Sequence, residues 1–179
     1  IGAEADYVIP HRIRDGYGMN EHLVTQAAEA GIDTILTCDN GISAIDQIHL
    51  AKELGMTVVV TDHHEVPYIE ENGVRREKIS EADAIVNPKQ EACQYPFKKL
   101  CGAAVAWKLV QVLYEQAGIP VSEADRFIEN AGFATVGDVM DLQGENRVLV
   151  KLGLKMLNQT QNIGMKALIL QSNRKLGEI

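Results

Sequence analysis

The chain has 179 residues, 46% apolar and 23% charged, with a net charge of −8, a composition that suits one globular domain with a single core. No run approaches bilayer-spanning length, and the start Ile1-Gly2-Ala3-Glu4 has neither a basic region nor an apolar signal core, so membrane and exported classes are disfavoured and a cytoplasmic protein is expected. Cys38, Cys93 and Cys101 are odd in number and share no metal-type spacing, which argues against a disulfide framework and a thiolate zinc site.

In chain order, Asp6 to Ile9 reads as a short strand stopped by Pro10, and His22 to Ala30 as a helix ending at Gly31. Thr34 to Cys38 is a β-rich run that stops at Asp39-Asn40-Gly41-Ile42-Ser43. Ser43 to Leu54 carries Ala44, Ile45, Ile48, Ala51 and Leu54 at helical spacing and ends at Gly55. The run Thr57-Val58-Val59-Val60 follows as a buried strand. Glu70 to Glu81 lacks strong periodicity and is expected to be a loop with one helical turn at most, before a strand at Ala84 to Val86. Beyond Pro96 the pattern turns helical: Gly102 to Gln116, a helix opened by a Ser122-Glu123-Ala124-Asp125 capping box, Leu149 to Leu157, and Met165 to Leu170. The expected fold class is α/β: a parallel-sheet βαβ core with flanking helices over residues 1–90, then a mostly helical part over 91–179.

A right-handed crossover from the first β-rich run to the second makes them parallel, so Asp39 and Asp62-His63-His64 leave the sheet at the same edge. Ligands of open α/β sheets bind there. Imidazoles with a carboxylate suit a hard-to-borderline divalent cation such as Mn or Mg. Two adjacent histidines alone are equally compatible with a solvated loop, because a His dipeptide is not a spacing code. The acidity of the chain opposes a nucleic-acid partner, although bound cations invert the local field and basic residues gather at His11-Arg12-Ile13-Arg14, Arg75-Arg76 and Lys98-Lys99. Asp138 follows the apolar stretch Phe133 to Gly137, which is expected to be largely buried. It is either a ligand or a solvent-facing charge that opposes a helix dipole, with Asp141 the nearest alternative.

The sequence Thr37-Cys38-Asp39-Asn40-Gly41-Ile42 with Thr61-Asp62-His63-His64 resembles the DHH phosphoesterase superfamily. Further blocks occur in order: Ile9-Pro10-His11-Arg12 with Gly16-Tyr17-Gly18, Asn87-Pro88, Leu100 to Lys108, and Ala134 to Met140. Together they look like the RecJ-type branch, exonucleases specific for single-stranded DNA. The resemblance implies two-metal phosphodiester hydrolysis with Mn²⁺ or Mg²⁺. Asp39, His63 and Asp138 would be the metal ligands, Asp39 bridging. His64 would face the scissile phosphate, Asp62 would ligate or orient an imidazole, and Arg12 with His11 would hold the DNA backbone.

The Asp-x-Asp pair that such enzymes carry before the Ile-Pro-x-Arg block has no match, Asp6 and Asp15 being isolated. A partial DHH domain is therefore expected, with one ion position incomplete and little activity on its own. The DHH-associated and oligonucleotide-binding domains are expected to be absent. Two other classes stay open: a DHH hydrolase of pyrophosphate or small nucleotides, and a non-catalytic binding module.

Overall fold

A computed structural model describes residues 1–179. Helix and strand alternate as α1 (Glu21–Glu29), β1 (Thr34–Leu36), α2 (Ile45–Glu53) and β2 (Thr57–Thr61), followed by β3 (Tyr68–Glu71), β4 (Val74–Glu77) and β5 (Ala84–Val86). Four helices complete the chain: α3 (Gly102–Gln116), α4 (Ile128–Gly137), α5 (Gly144–Leu157) and α6 (Ile163–Gln171), with a 3-10 turn over Val121–Phe127 ahead of α4. The elements fall into two units, Ile1–Lys98 and Lys99–Ile179. No helix is long and apolar enough to cross a membrane.

The first unit holds a parallel sheet in the order β1-β2-β5, as the βαβ reading requires. Leu36 lies opposite Val59, and Thr61 opposite Val86, so the three strands finish on one edge. Side chains alternate across a strand. Val58 and Val60 of β2 are fully buried with Val24 of α1 and Ile48 and Ala51 of α2. The alternate positions face away, and there Leu36 and Val86 are 55% and 38% exposed. Asn20 caps α1 by accepting from Leu23 N at 3.0 Å.

Three expectations change. Asp6 to Ile9 is not a strand: no neighbouring strand takes its backbone groups, and Tyr7, Val8 and Ile9 are all exposed. The segment expected as a loop, Glu70 to Glu81, holds most of the antiparallel hairpin β3–β4, which begins two residues earlier with Tyr68 opposite Glu77. Its turn is Asn72-Gly73, both at positive φ (54° and 75°), the pair that a tight hairpin favours. The mixed charged composition hid that signal. Ser122 does not cap a helix; a 3-10 turn intervenes before α4 starts at Ile128.

In the second unit α5 begins five residues before the expected Leu149, at Gly144. Its first turn is polar yet anchored, because buried Asn146 donates to Lys99 O at 2.7 Å and Asp141 O at 3.1 Å. Trp107 of α3 donates its indole N–H to Ala124 O at 3.0 Å. Helices α4 and α5 approach to backbone contact: a Cβ at Gly132 would sit 2.6 Å from Leu149 O, and one at Gly153 2.9 Å from Ile128 O.

Gly132→Ala and Gly153→Ala should each destabilise the second unit by about 1–3 kcal/mol, since neither helix backbone can yield without repacking. Gly137→Ala, where a Cβ meets nothing within 4 Å, should be nearly neutral. Urea unfolding followed by circular dichroism separates the two cases.

Asp83 ties β2 to α2, its Oδ2 accepting from Lys52 Nζ at 2.7 Å and from Val58 N at 2.7 Å. The Lys52 bond first, then the Val58 amide, hold its carboxyl below the usual range. A carboxyl lowered in the folded state adds stability above its unfolded value near 3.9, and that stability is lost as pH falls through the lower folded value. Asp83→Asn should therefore melt below the parent at pH 7, and the gap should narrow in melts recorded at successively more acidic pH.

Candidate metal centre

The parallel pairing continues past the strand ends. Thr37 N donates to Val59 O, Asp39 N to Thr61 O and Asp62 N to Val86 O, each at 3.0 Å. Two buried threonines stitch the gap: Thr61 Oγ1 donates to Thr37 O at 2.6 Å, and Thr37 Oγ1 donates to Asn40 O at 2.7 Å while accepting from Thr61 N at 3.2 Å. The chain then turns sharply through Asp39 at φ 64° and Gly41 at φ 110°. Only glycine suits that second position, because a Cβ there would stand 2.8 Å from Thr37 Oγ1.

Asp62 organises the other side. Its side chain is 1% exposed. Oδ2 accepts from Ile42 N at 2.9 Å, and Oδ1 from His63 N at 2.7 Å, His64 N at 3.2 Å and His64 Nδ1 at 2.6 Å. Burial alone pushes this carboxyl up, but the donors from Ile42, the His64 ring and the His64 and His63 amides outweigh it and hold it below the ordinary range. A carboxylate acceptor at Nδ1 makes that nitrogen the donor, so the neutral His64 ring presents Nε2 as its lone-pair nitrogen. Asn87 Nδ2 donates to His64 O at 2.9 Å and fixes the loop from the β5 side.

This arrangement brings ligand atoms of Asp39, His63 and His64 within 4.8 Å of one another. His63 Nε2 is 3.0 Å from Asp39 Oδ1, and the two imidazole centroids are 4.6 Å apart. Asp39 Oδ1 is buried and accepts no hydrogen bond. A carboxylate oxygen 3.0 Å from one imidazole nitrogen, on a side chain that is 47% exposed, with a second imidazole beside it, is a donor set that fits a first-row divalent cation. Cys38 is exposed beside the cluster and lies outside it.

Arg12 lies over the ring of Tyr17, 4.8 Å from its centroid, and Tyr17 donates its hydroxyl to Asp39 O at 2.6 Å. Tyr17 and Asn87 are thus parts of the site to which sequence reasoning assigned no role. The glycines flanking Tyr17 and the Asn-Pro step after a strand were their visible signals. His11 is occupied in its own turn, its Nδ1 accepting from Arg14 N at 3.3 Å and its amide donating to Asp15 Oδ2 at 2.8 Å. Asp138 belongs to the second unit, where it caps the C-terminal end of α4 and is exposed. The stretch before it is less buried than expected, Phe133 and Val136 being 43% and 48% exposed. Their opposite neighbours, Ala131, Gly132 and Thr135, take the core face.

Residues 1–132 match the DHH family, N-terminal domain. The chain belongs to the DHH family. Its relatives within that family include the single-stranded-DNA-specific exonuclease RecJ of Bacillus subtilis, 40% identical over 99% of this chain and 21% of the relative. The RecJ of Dickeya dadantii is 32% identical over 99% of this chain and 31% of the relative. The chain thus spans between a fifth and a third of the length of these relatives. Among solved structures, exonuclease RecJ bound to manganese superposes with a TM-score of 0.74 at 32% identity, covering 92% of this chain and 39% of that one. RecJ in complex with Mn²⁺ from Thermus thermophilus gives 0.68 at 28% identity, covering 87% and 22%. In this DHH chain the signature triplet therefore divides its labour: Asp62 lies behind the cluster as an acceptor, and the two histidines stand in front.

Asp62→Asn replaces an acceptor that receives four N–H groups with an amide that must turn its own N–H₂ toward some of them. The cost should be about 2–3 kcal/mol. Equilibrium denaturation should show this loss in metal-free protein, which separates it from any effect on cation affinity.

Proposed function

We propose that this chain carries part of the hydrolytic metal centre of a single-stranded-DNA exonuclease. The observation that carries the reading is the convergence of Asp39, His63 and His64 at the ends of parallel strands β1 and β2, within 4.8 Å. Support comes from RecJ relatives named for that activity and from two RecJ structures containing manganese. Asp39 and His63 would hold Mn²⁺ or Mg²⁺; Asp138 is carried as a further ligand by the family likeness alone. Divalent cations in such a centre activate water and stabilise the leaving oxygen of an in-line displacement.

The remaining roles belong to the protein itself. Asp62 accepts a hydrogen bond from the Nδ1–H of His64 and fixes the ring, so that Nε2, 3.5 Å from the Tyr17 hydroxyl, is the nitrogen left for the cation or the scissile phosphate. Arg12, spread over Tyr17, offers a guanidinium fork to a backbone phosphate, with His11 adjoining it. Tyr17 braces the Asp39 carbonyl and with it the αL turn that aims the carboxylate. The family likeness extends the reading to 5′-to-3′ digestion, to DNA repair and recombination, and to the cytoplasm.

Manganese paramagnetic resonance should show free Mn²⁺ captured by the chain, with Asp39→Asn and His63→Ala each weakening capture at least tenfold, about 1.4 kcal/mol. On a panel of labelled single strands, duplex, pyrophosphate and a cyclic dinucleotide, the single strand should turn over fastest, however slow the absolute rate. Pyrophosphate or the cyclic dinucleotide turning over while the strand stays intact would assign the centre to a small-substrate hydrolase. A binding module is distinguished on the full-length protein, where capture of Mn²⁺ with no turnover of any substrate would assign it, since the incomplete ion position expected of this chain already lowers its rate.

A further inference from the structure

The acidic excess of this chain is confined to one part of it. Between Leu142 and Lys175 lie Arg147, Lys151, Lys155, Lys166, Arg174 and Lys175 with Glu145 as the sole carboxylate, and that one is paired to Lys108 at 2.9 Å. Three of the six cations stand on α5 at positions four apart: Arg147, Lys151 and Lys155, all exposed. None of the three makes an ion pair. They run in one row beside the buried face formed by Asn146, Leu149, Val150, Gly153 and Leu157. Like charges at this spacing repel each other by a few tenths of a kcal/mol per pair, so the row is a cost to the helix in isolation. Next to the row Val148 and Leu152 are 56% and 42% exposed. At its N-terminal end a concavity of about 230 Å³ is lined by Leu142, Arg147, Val150 and Lys151, with an almost wholly apolar floor.

Cations in a row beside an apolar hollow match the two halves of an unpaired nucleic-acid strand, whose phosphates need neutralising and whose base faces need cover. Successive row positions rise about 6 Å along the helix, within reach of consecutive phosphates for side chains as long as these. We infer that the exposed face of α5 is a binding track for a single strand, with phosphates on Arg147, Lys151 and Lys155 and one base seated against Leu142 and Val150. The choice of nucleic acid rests on the function proposed above; the charge row does not.

The test is fluorescence anisotropy of a labelled oligothymidylate with the 179-residue chain in chelator, so that binding is read without hydrolysis. Lys151→Gln combined with Lys155→Gln should weaken binding roughly tenfold and flatten the slope of log affinity against log salt by about 1.4, the release of counterions from two single-strand contacts. Lys78→Gln, which removes an exposed lysine of the first unit, should change neither. An abasic strand of equal charge should bind more weakly than the oligothymidylate, and heparin should compete less well than unlabelled strand. Unchanged affinity and slope in the double variant would overturn the track. So would an equal loss from Lys78→Gln, or equal binding of the abasic strand or heparin. Asp39→Asn should retain strand affinity in chelator, so a failure of the metal centre and a failure of the track are separately visible.

Discussion

Everything at the metal centre depends on two parallel strands ending side by side. A parallel ladder spaces its hydrogen bonds evenly, and here the ladder persists one step beyond each strand, through the amides of Asp39 and Asp62. The register places Leu36 opposite Val59, and the crossover helix α2 joins the strands above a shared core of Val58, Val60, Ile48 and Ala51. Neither strand could slip by one residue without turning that core outward. Because Asp39 is itself one of these bonded positions and His63 follows the other by one residue, their separation is a property of the sheet.

A charged group is rarely buried without partners. Asp62 meets that requirement with four donors, three of them backbone or ring N–H groups of the two histidines that follow it. The same bonds that make its burial tolerable determine which nitrogen of His64 carries the proton. Stability and tautomer are thus set by one carboxylate, which explains why an aspartate at this place is informative even though it stands behind the ligand cluster.

Much of this was legible in the sequence because the relevant signals are local. The β-branched run at Val58 to Val60 and the apolar positions Ile48 and Ala51 define the βαβ unit, and helix α3 runs from Gly102 to Gln116 as its periodicity indicates. Asp39, His63 and His64 could be placed together because a crossover has one hand. What escaped was either weakly patterned or dependent on a partner. The β3–β4 hairpin is exposed along its length, so no alternation marks it, and only Asn72-Gly73 announces the turn. Asp6 to Ile9 has strand-like residues but no strand to pair with. The part of Tyr17 in bracing Asp39 joins residues 22 apart through a single hydroxyl, a contact that no periodicity encodes.

The extended ladder also fixes how this site exchanges with solvent. The amides of Asp39 and Asp62 are tied to carbonyls of Thr61 and Val86, and Thr61 is itself buried and bonded to Thr37. Amides held in this way open only when the structure around them opens, whereas those of a surface loop exchange through local fluctuation. Deuterium uptake at these two positions is consequently governed by the unfolding of the sheet, and the ligands share the lifetime of the core rather than that of the loops in which they formally lie.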